Sequence, residues 1–290
     1  MADARSWVSA HVFHDGDLDL VITDLLATVQ SRLDADGAAR GLFFLRYWEG
    51  GPHLRVRVLA RPGRVDDVRR ILSGAIADAL NRLPALVRVT QEDYDRYAPA
   101  MAERELRQSY ERRRRPPNSF AFFPYRPETD KYGTGAALHA VEDHFVRCST
   151  AVRRLLATGP SDDRRTTAAF AVLALNRWIA SRGTGWPRRE PHPWQPGERA
   201  RYLRRRPALR ALAERTRTLA ANPPEQPSGF AGALAASAAT LAGRPDAGPV
   251  LDMCAHLTCN RLGVGQEEEL HLRDLADRTF AELVEEEALA

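Results

Sequence analysis

At 290 residues with 44% hydrophobic side chains, the chain can bury one large core or two smaller ones, and its composition excludes disorder. The formal charge of +4 is modest, no apolar run approaches the roughly 20 residues of a membrane span, and the N-terminus has no signal-peptide pattern, so a soluble cytoplasmic protein is expected. Three scattered cysteines, Cys148, Cys254 and Cys259, argue against a disulfide framework and predict free thiols.

Residues 6–14 (SWVSAHVFH) are a β-branched and aromatic run closed by Asp15-Gly16-Asp17, and an apolar helical period follows from Leu18 to Leu33, which predicts a strand and then a helix. Residues 41–60 (GLFFLRYWEGGPHLRVRVLA) are two apolar runs joined by a Gly-Gly-Pro turn, a hairpin. Side chains alternate along a strand, so Leu54, Val56 and Val58 take one face while His53, Arg55 and Arg57 take the other. A cationic row needs an anion, solvent or a ligand opposite it, which makes this face the first candidate binding surface. Val68, Ile71, Leu72, Ile76 and Leu80 mark a second helix over 66–80, and 86–89 (LVRV) suits a short last strand. The order βαββαβ predicts a ferredoxin-like sandwich, with two helices on one face of an antiparallel sheet and the cationic row on the other, open face.

Residues 93–115 turn polar and arginine-rich, which predicts an exposed helix ended by Pro116-Pro117-Asn118, and the runs RRRR at 112–115 and RRR at 204–206 read as solvated helix faces. A short aromatic run comes next at 119–125 (SFAFFPY), then a Pro- and Gly-bearing loop at 126–135 (RPETDKYGTG). Helices are expected at 135–157, 163–182, 196–221, 228–242, 246–262 and 267–288. The expected class is α+β, with a βαββαβ half at 1–92, an arginine-rich helix and binding-loop connection at 93–134, and a helical half at 135–290. The cleft between the halves is the expected site.

Several constellations could carry chemistry. His256 and Asn260 lie four apart on one helical face with Arg261 adjacent, and an imidazole beside an amide can act as acid or base near neutral pH. Cys254, His256 and Cys259 suggest a metal set, but the two cysteines are five apart on a helix and point different ways, so no metal is expected. The 126–135 loop brings Lys131, the only lysine in the chain, next to Tyr132 between carboxylates and glycines. Glu142, Phe145 and Ser149 share a helix face. P-loop, GxGxxG, GxSxG and HExxH patterns are absent, which argues against nucleotide-dependent and ordinary hydrolase chemistry.

Taken together, FFLRYWEGGPHLRVRV at 43–58, PETDKYGTGAALHAVEDHFVRCS at 127–149 and HLTCNRLGV at 256–264 resemble the stand-alone form of the lantibiotic dehydratase C-terminal domain, also called the thiopeptide-type bacteriocin biosynthesis domain. By that resemblance the arginines of the H-[LI]-R-x-R strand are Arg55 and Arg57, and the histidine of the H-[ML]-x-x-N-R helix is His256. The loop usually written E-R-Y-G-G is here Asp130-Lys131-Tyr132-Gly133-Thr134, so a lysine stands where the family has arginine. The resemblance implies His256, Arg55, Arg57 and Lys131 as catalytic residues. It implies Arg46, His53, Tyr132, Asn260 and Arg261 as substrate-binding residues.

The activity it implies is a lyase of ribosomal peptide natural-product maturation, eliminating glutamate from glutamylated serine or threonine to leave dehydroalanine or dehydrobutyrine. Such a reaction needs a base for the α-proton and cations for the departing glutamate, with no metal or redox cofactor. Implied partners are a precursor peptide, leader plus modified core, and a separate glutamylating protein that uses glutamyl-transfer RNA; no membrane is implied and a homodimer is left open. The alternative on the same scaffold is a thiopeptide pyridine synthase, joining two dehydroalanines by formal [4+2] cycloaddition with loss of the leader. An alternative of another class is a non-catalytic peptide- or RNA-binding module, in which Phe43, Phe44, Tyr47 and Trp48 stack on bases.

Overall fold

The computed structural model describes residues 5–85, 89–181, 191–222 and 229–289. They fall into two compact units, Met1–Pro127 and Glu128–Ala290.

The first unit runs β1 (Ser6–Phe13), α1 (Leu18–Asp36), β2 (Ala39–Tyr47), β3 (His53–Ala60), α2 (Val65–Arg82), α3 (Gln91–Arg104) and β4 (Ser119–Phe123). The strands form one antiparallel sheet in the order β2-β3-β1-β4, the ferredoxin-like arrangement. Alternation along β3 sends Leu54, Val56 and Val58 inward, each fully buried. Ile22, Leu25 and Leu26 of α1 and Leu72 and Ile76 of α2 are buried with them, each contributing roughly 1.5–3 kcal/mol relative to exposure. The β2–β3 turn depends on Gly50 and Gly51, whose φ values of 79° and 109° other residues rarely adopt.

Two expectations change here. The short strand expected at 86–89 lies largely outside the described residues, and the fourth strand is Ser119–Phe123, paired with β1 so that Phe13 faces Ser119 and Ser9 faces Phe123. The helix expected over 93–115 starts with a capping box between Thr90 and Asp93 but ends at Arg104, and Leu106 takes a left-handed φ of 53°. Beyond the helix, tertiary hydrogen bonds hold the chain to the β2–β3 turn. Glu111 N–H donates to Glu49 at 3.0 Å, and Arg115 N–H donates to the Gly50 carbonyl at 2.8 Å. The 112–115 arginines are therefore not a helix face, and Arg114 pairs with the buried carboxylate of Asp15.

The second unit is helical: α4 (Thr129–Tyr132), α5 (Ala136–Leu156), α6 (Asp162–Ala180), α7 (Glu198–Ala221), α8 (Gly229–Leu241), α9 (Ala247–Leu262) and α10 (Gln266–Leu289). Helix α5 packs on α8 and α9, while α6 packs on α7, α9 and α10. Cys148, Cys254 and Cys259 are buried free thiols of this core, and burial pushes all three above the usual thiol range. Among the described residues no helix is long and apolar enough to cross a membrane.

Candidate active site

On the sheet, register aligns His11 of β1 with Arg55 of β3 and with Leu45 of β2 beyond, while Ser9 and Phe43 flank Arg57. This face is not bare, contrary to expectation: His53 and Phe43 are fully buried. The Arg55 guanidinium lies 3.4 Å from the Tyr47 ring centroid, donates toward His53 Nε2 at 3.4 Å and stands 3.5 Å from the Glu49 carboxylate. Glu49 also pairs with Arg107 at 2.8 Å, and Arg107 donates to the Tyr47 hydroxyl at 2.6 Å. Arg57 lies over the rings of Phe43 and Tyr125 at 5.3 and 5.1 Å. Both arginines are thus held on aromatic surface with their charged ends fixed in direction.

Nothing in the local sequence singles out His11. Its ring stacks on His53 at 5.0 Å and packs on Phe123 at 4.3 Å. Burial, followed by the neighbouring His53 and the charges of Arg55, Arg57 and Arg115, pushes His11 down to about 2. Burial pushes His53 down to about 3, against the support of its Gly51 hydrogen bond and with Arg55 lowering it further. Two neutral imidazoles thus floor a surface whose charge comes from arginine. Arg46 takes no part in it: it lies one residue out of phase on β2 and pairs with Asp19 in the first turn of α1. Phe44 and Trp48 are buried as well as Phe43, which leaves those rings unavailable for stacking on bases.

In the second unit Lys131 lies in the single turn of α4, is exposed, and pairs with Glu128 at 3.1 Å. Tyr132 next to it is buried against Phe145 of α5, ring centroids 5.7 Å apart. Arg261, expected to bind substrate, is fully buried: its Nε donates to Ser149 at 3.1 Å, Nη1 donates to the Leu257 carbonyl at 2.9 Å, and the group lies 4.8 Å over Phe145. Burial lowers its basicity, which the nearby Cys148, Cys254 and Tyr132 partly offset. Glu142 and Ser149 are buried on the same side of α5.

His256 is placed differently. Its side chain is 34% exposed, and its Nδ1 lies 2.8 Å from Oε2 of Glu269, which is only 6% exposed. Glu269 in turn accepts from Arg273, Nε at 2.9 Å and Nη2 at 2.8 Å, and Arg273 reaches Asp252, which accepts from Asn176 at 3.2 Å. Burial works against the Glu269 charge, but the hydrogen bond with His256, the positive charge of that ring when protonated, and the charge and hydrogen bonds of Arg273 outweigh it and hold the carboxyl below the usual range. In the sequence Glu269 closes the acidic run Glu267-Glu268-Glu269. The missed signal is its phase: Glu269 starts the apolar stripe continued by Leu272, Leu275, Ala276, Thr279 and Leu283.

Among the described residues, a carboxylate-backed imidazole in one unit and an aromatic-mounted arginine pair in the other are two chemistry-bearing features. The family model for the C-terminal part of the lantibiotic biosynthesis dehydratase matches residues 7–280. The chain belongs to this family. As a lantibiotic dehydratase C-terminal chain it is an enzyme of ribosomal peptide natural-product maturation. Similar solved structures include a pyridine synthase, TbtD, from thiomuracin biosynthesis, at 19% identity and a TM-score of 0.67, covering 96% of this chain and 98% of that one. The tRNA-dependent lantibiotic dehydratase MibB from Microbispora sp. 107891 is similar at 19% identity and a TM-score of 0.61 over 99% of this chain, which spans only 29% of that protein. TsrL is similar at 18% identity and a TM-score of 0.56, covering 96% and 95%. These likenesses show the fold. No curated protein matches the chain.

Proposed function

We propose that this chain is the elimination enzyme of its family, converting glutamylated serine or threonine in a precursor peptide to dehydroalanine or dehydrobutyrine. The observation that supports elimination most directly is the pair of His256 with the ionised Glu269, because a carboxylate hydrogen-bonded to Nδ1 holds the partly exposed imidazole in one orientation for proton transfer. His256 removes the α-proton of the glutamylated residue. The C–H electron pair becomes the Cα=Cβ bond, the Cβ–O bond breaks, and glutamate leaves as its carboxylate with no net redox change. Arg55 and Arg57 serve as cations for the anionic charge that the step creates, and Lys131 serves as a point charge where the family has a fork-shaped arginine. Asn260, one helical turn from His256, stands as a supporting donor, while the buried Tyr132 backs the loop. In keeping with the family resemblance, a glutamylating protein that uses glutamyl-transfer RNA is proposed as the partner that attaches the glutamate.

A second reading, pyridine synthesis from two dehydroalanines with loss of the leader, draws on Lys131, the departure from the elimination pattern. Intact mass spectrometry separates the two. A peptide carrying an O-glutamylated serine is incubated with wild type and with His256→Ala. Loss of glutamate to dehydroalanine with wild type alone supports elimination. No change on that peptide, with ring closure and leader loss on one carrying two dehydroalanines and azoles, replaces it with the cyclase.

A further inference from the structure

We propose that Glu269 is a positioning residue that fixes His256 as the Nδ1–H tautomer and leaves Nε2 as the proton-accepting atom, an inference that rests on the reading of His256 as the base.

Donors and acceptors around the carboxylate dictate the tautomer. Arg273 has only N–H groups to offer, and its Nε and Nη2 both lie on Oε1 of Glu269, at 2.9 and 2.8 Å. The other oxygen, Oε2, lies 2.8 Å from Nδ1 of His256. A carboxylate carries no proton, so Nδ1 must supply the hydrogen, and a neutral ring with its proton on Nδ1 has its lone pair on Nε2. The direction of the carboxylate is fixed behind it: Arg273 also pairs with Asp252, and Asn176 donates to Asp252 at 3.2 Å. Side chains from α6, α9 and α10 therefore set one ring orientation. The gradient of exposure fits this division of labour, from 6% at Glu269 and 14% at Arg273 to 34% at His256, the member that can meet a substrate.

The same count of donors makes the isosteric amide a sharp probe. In Glu269→Gln there is one oxygen, and Arg273 can only donate, so the oxygen turns to Arg273 and the NH2 faces His256. Nδ1 must then accept, and the ring proton moves to Nε2, which removes the lone pair needed for proton abstraction. In Glu269→Asp the carboxylate charge stays and Nδ1–H is kept.

The test is ¹⁵N imidazole NMR of the full chain, with the His256 signals assigned by their loss in His256→Ala, alongside dehydroalanine formation by mass spectrometry and circular dichroism as a fold control. Wild type is expected to show the Nδ1–H form and Glu269→Gln the Nε2–H form. Turnover in Glu269→Gln is expected to fall on the order of 10²–10⁴-fold at neutral pH, the range general acid–base catalysis supplies, and to recover partly in Glu269→Asp. A wild-type Nε2–H form, or a tautomer unchanged in Glu269→Gln, overturns the positioning role whatever the turnover does; if Glu269→Gln does not fold, the wild-type spectrum alone decides. Tautomer inversion with undiminished turnover supports positioning and removes His256 from the chemistry.

Discussion

The Arg55 guanidinium carbon lies 3.4 Å from the centroid of the Tyr47 ring, stacked on a phenol that is itself tied to Glu105 at 2.6 Å and Arg107 at 2.6 Å. A flat, delocalised cation fits that slot, and a lysine ammonium does not. Arg55→Lys is therefore expected to lower stability by about 1 kcal/mol and to cost more than tenfold in turnover of a glutamylated peptide. Urea unfolding and mass-spectrometric turnover check the two parts. Wild-type rates with lysine would remove the stacked fork from the chemistry.

Burial of neutral histidines has a consequence for acid stability. An unfolded histidine titrates near 6.5, whereas His11 and His53 are held down to about 2 and about 3 in the folded unit. Their contribution is complete above about pH 6.5 and is lost as pH falls below it, because the unfolded chain takes up protons that the folded chain refuses. Each histidine steepens the fall by up to about 1.4 kcal/mol per pH unit. His144 in the second unit, held down to about 4 by burial and by the charge of Arg261, acts with the same sign. Urea midpoints at pH 7, 6, 5 and 4 should fall less steeply for His11→Gln than for wild type. Parallel curves would show that His11 is protonated in the folded state.

Arg273 is 14% exposed and neutralises two carboxylates, Glu269 and Asp252. Its removal leaves both in a site built around a cation, and breaking such a pair costs about 3 kcal/mol, far more than a surface bridge. Arg273→Met should show that loss in urea unfolding at pH 7. It should also regain part of it at pH 4, where protonation relieves the uncompensated charge. A loss under about 1 kcal/mol would mean that water screens the pair.

The fold was legible where periodicity speaks. The six helices after Gly135 lie within a few residues of their expected bounds, because their apolar stripes and Pro, Gly and Asp boundaries are local. What failed was set at a distance. The pairing of β4 with β1 joins Ser119 to Phe13, and beyond the end of α3 hydrogen bonds from Glu111 and Arg115 hold the chain to the hairpin. At the site, alternation placed His53, Arg55 and Arg57 together, and the same rule put Arg46 on the other face. Arg261 looked like a companion of the His256 and Asn260 face by its adjacency to Asn260, but one helical step of about 100° carries it into the core. Glu269 is thirteen residues from His256 across a helix boundary, a distance no local rule bridges.

Gly133 tests whether the 126–135 loop is held by its backbone. Its φ of 76° and ψ of −164° lie in a region that is nearly exclusive to glycine, and a Cβ there would meet Arg244 Nη2 at 2.8 Å. Gly133→Ala is expected to cost about 1–3 kcal/mol and to shift the Tyr132 ring against Phe145, seen as a changed near-ultraviolet circular dichroism spectrum. An unchanged stability and spectrum would show that the loop relaxes freely.

Lys131 separates binding from folding. It is 57% exposed and its partner Glu128 is 52% exposed, so the pair contributes roughly 0–1 kcal/mol to stability and Lys131→Met should unfold as wild type does. If its ammonium holds a departing carboxylate, the same variant loses turnover by about tenfold or more, with a steeper loss at low salt, where an exposed charge is least screened. Lys131→Arg restores the charge and adds a fork that can grip a carboxylate at two points, so it should retain or exceed wild-type turnover of a glutamylated peptide. Steady-state rates of dehydroalanine formation at two ionic strengths read all three. Equal rates for lysine, methionine and arginine would take the loop cation out of the elimination.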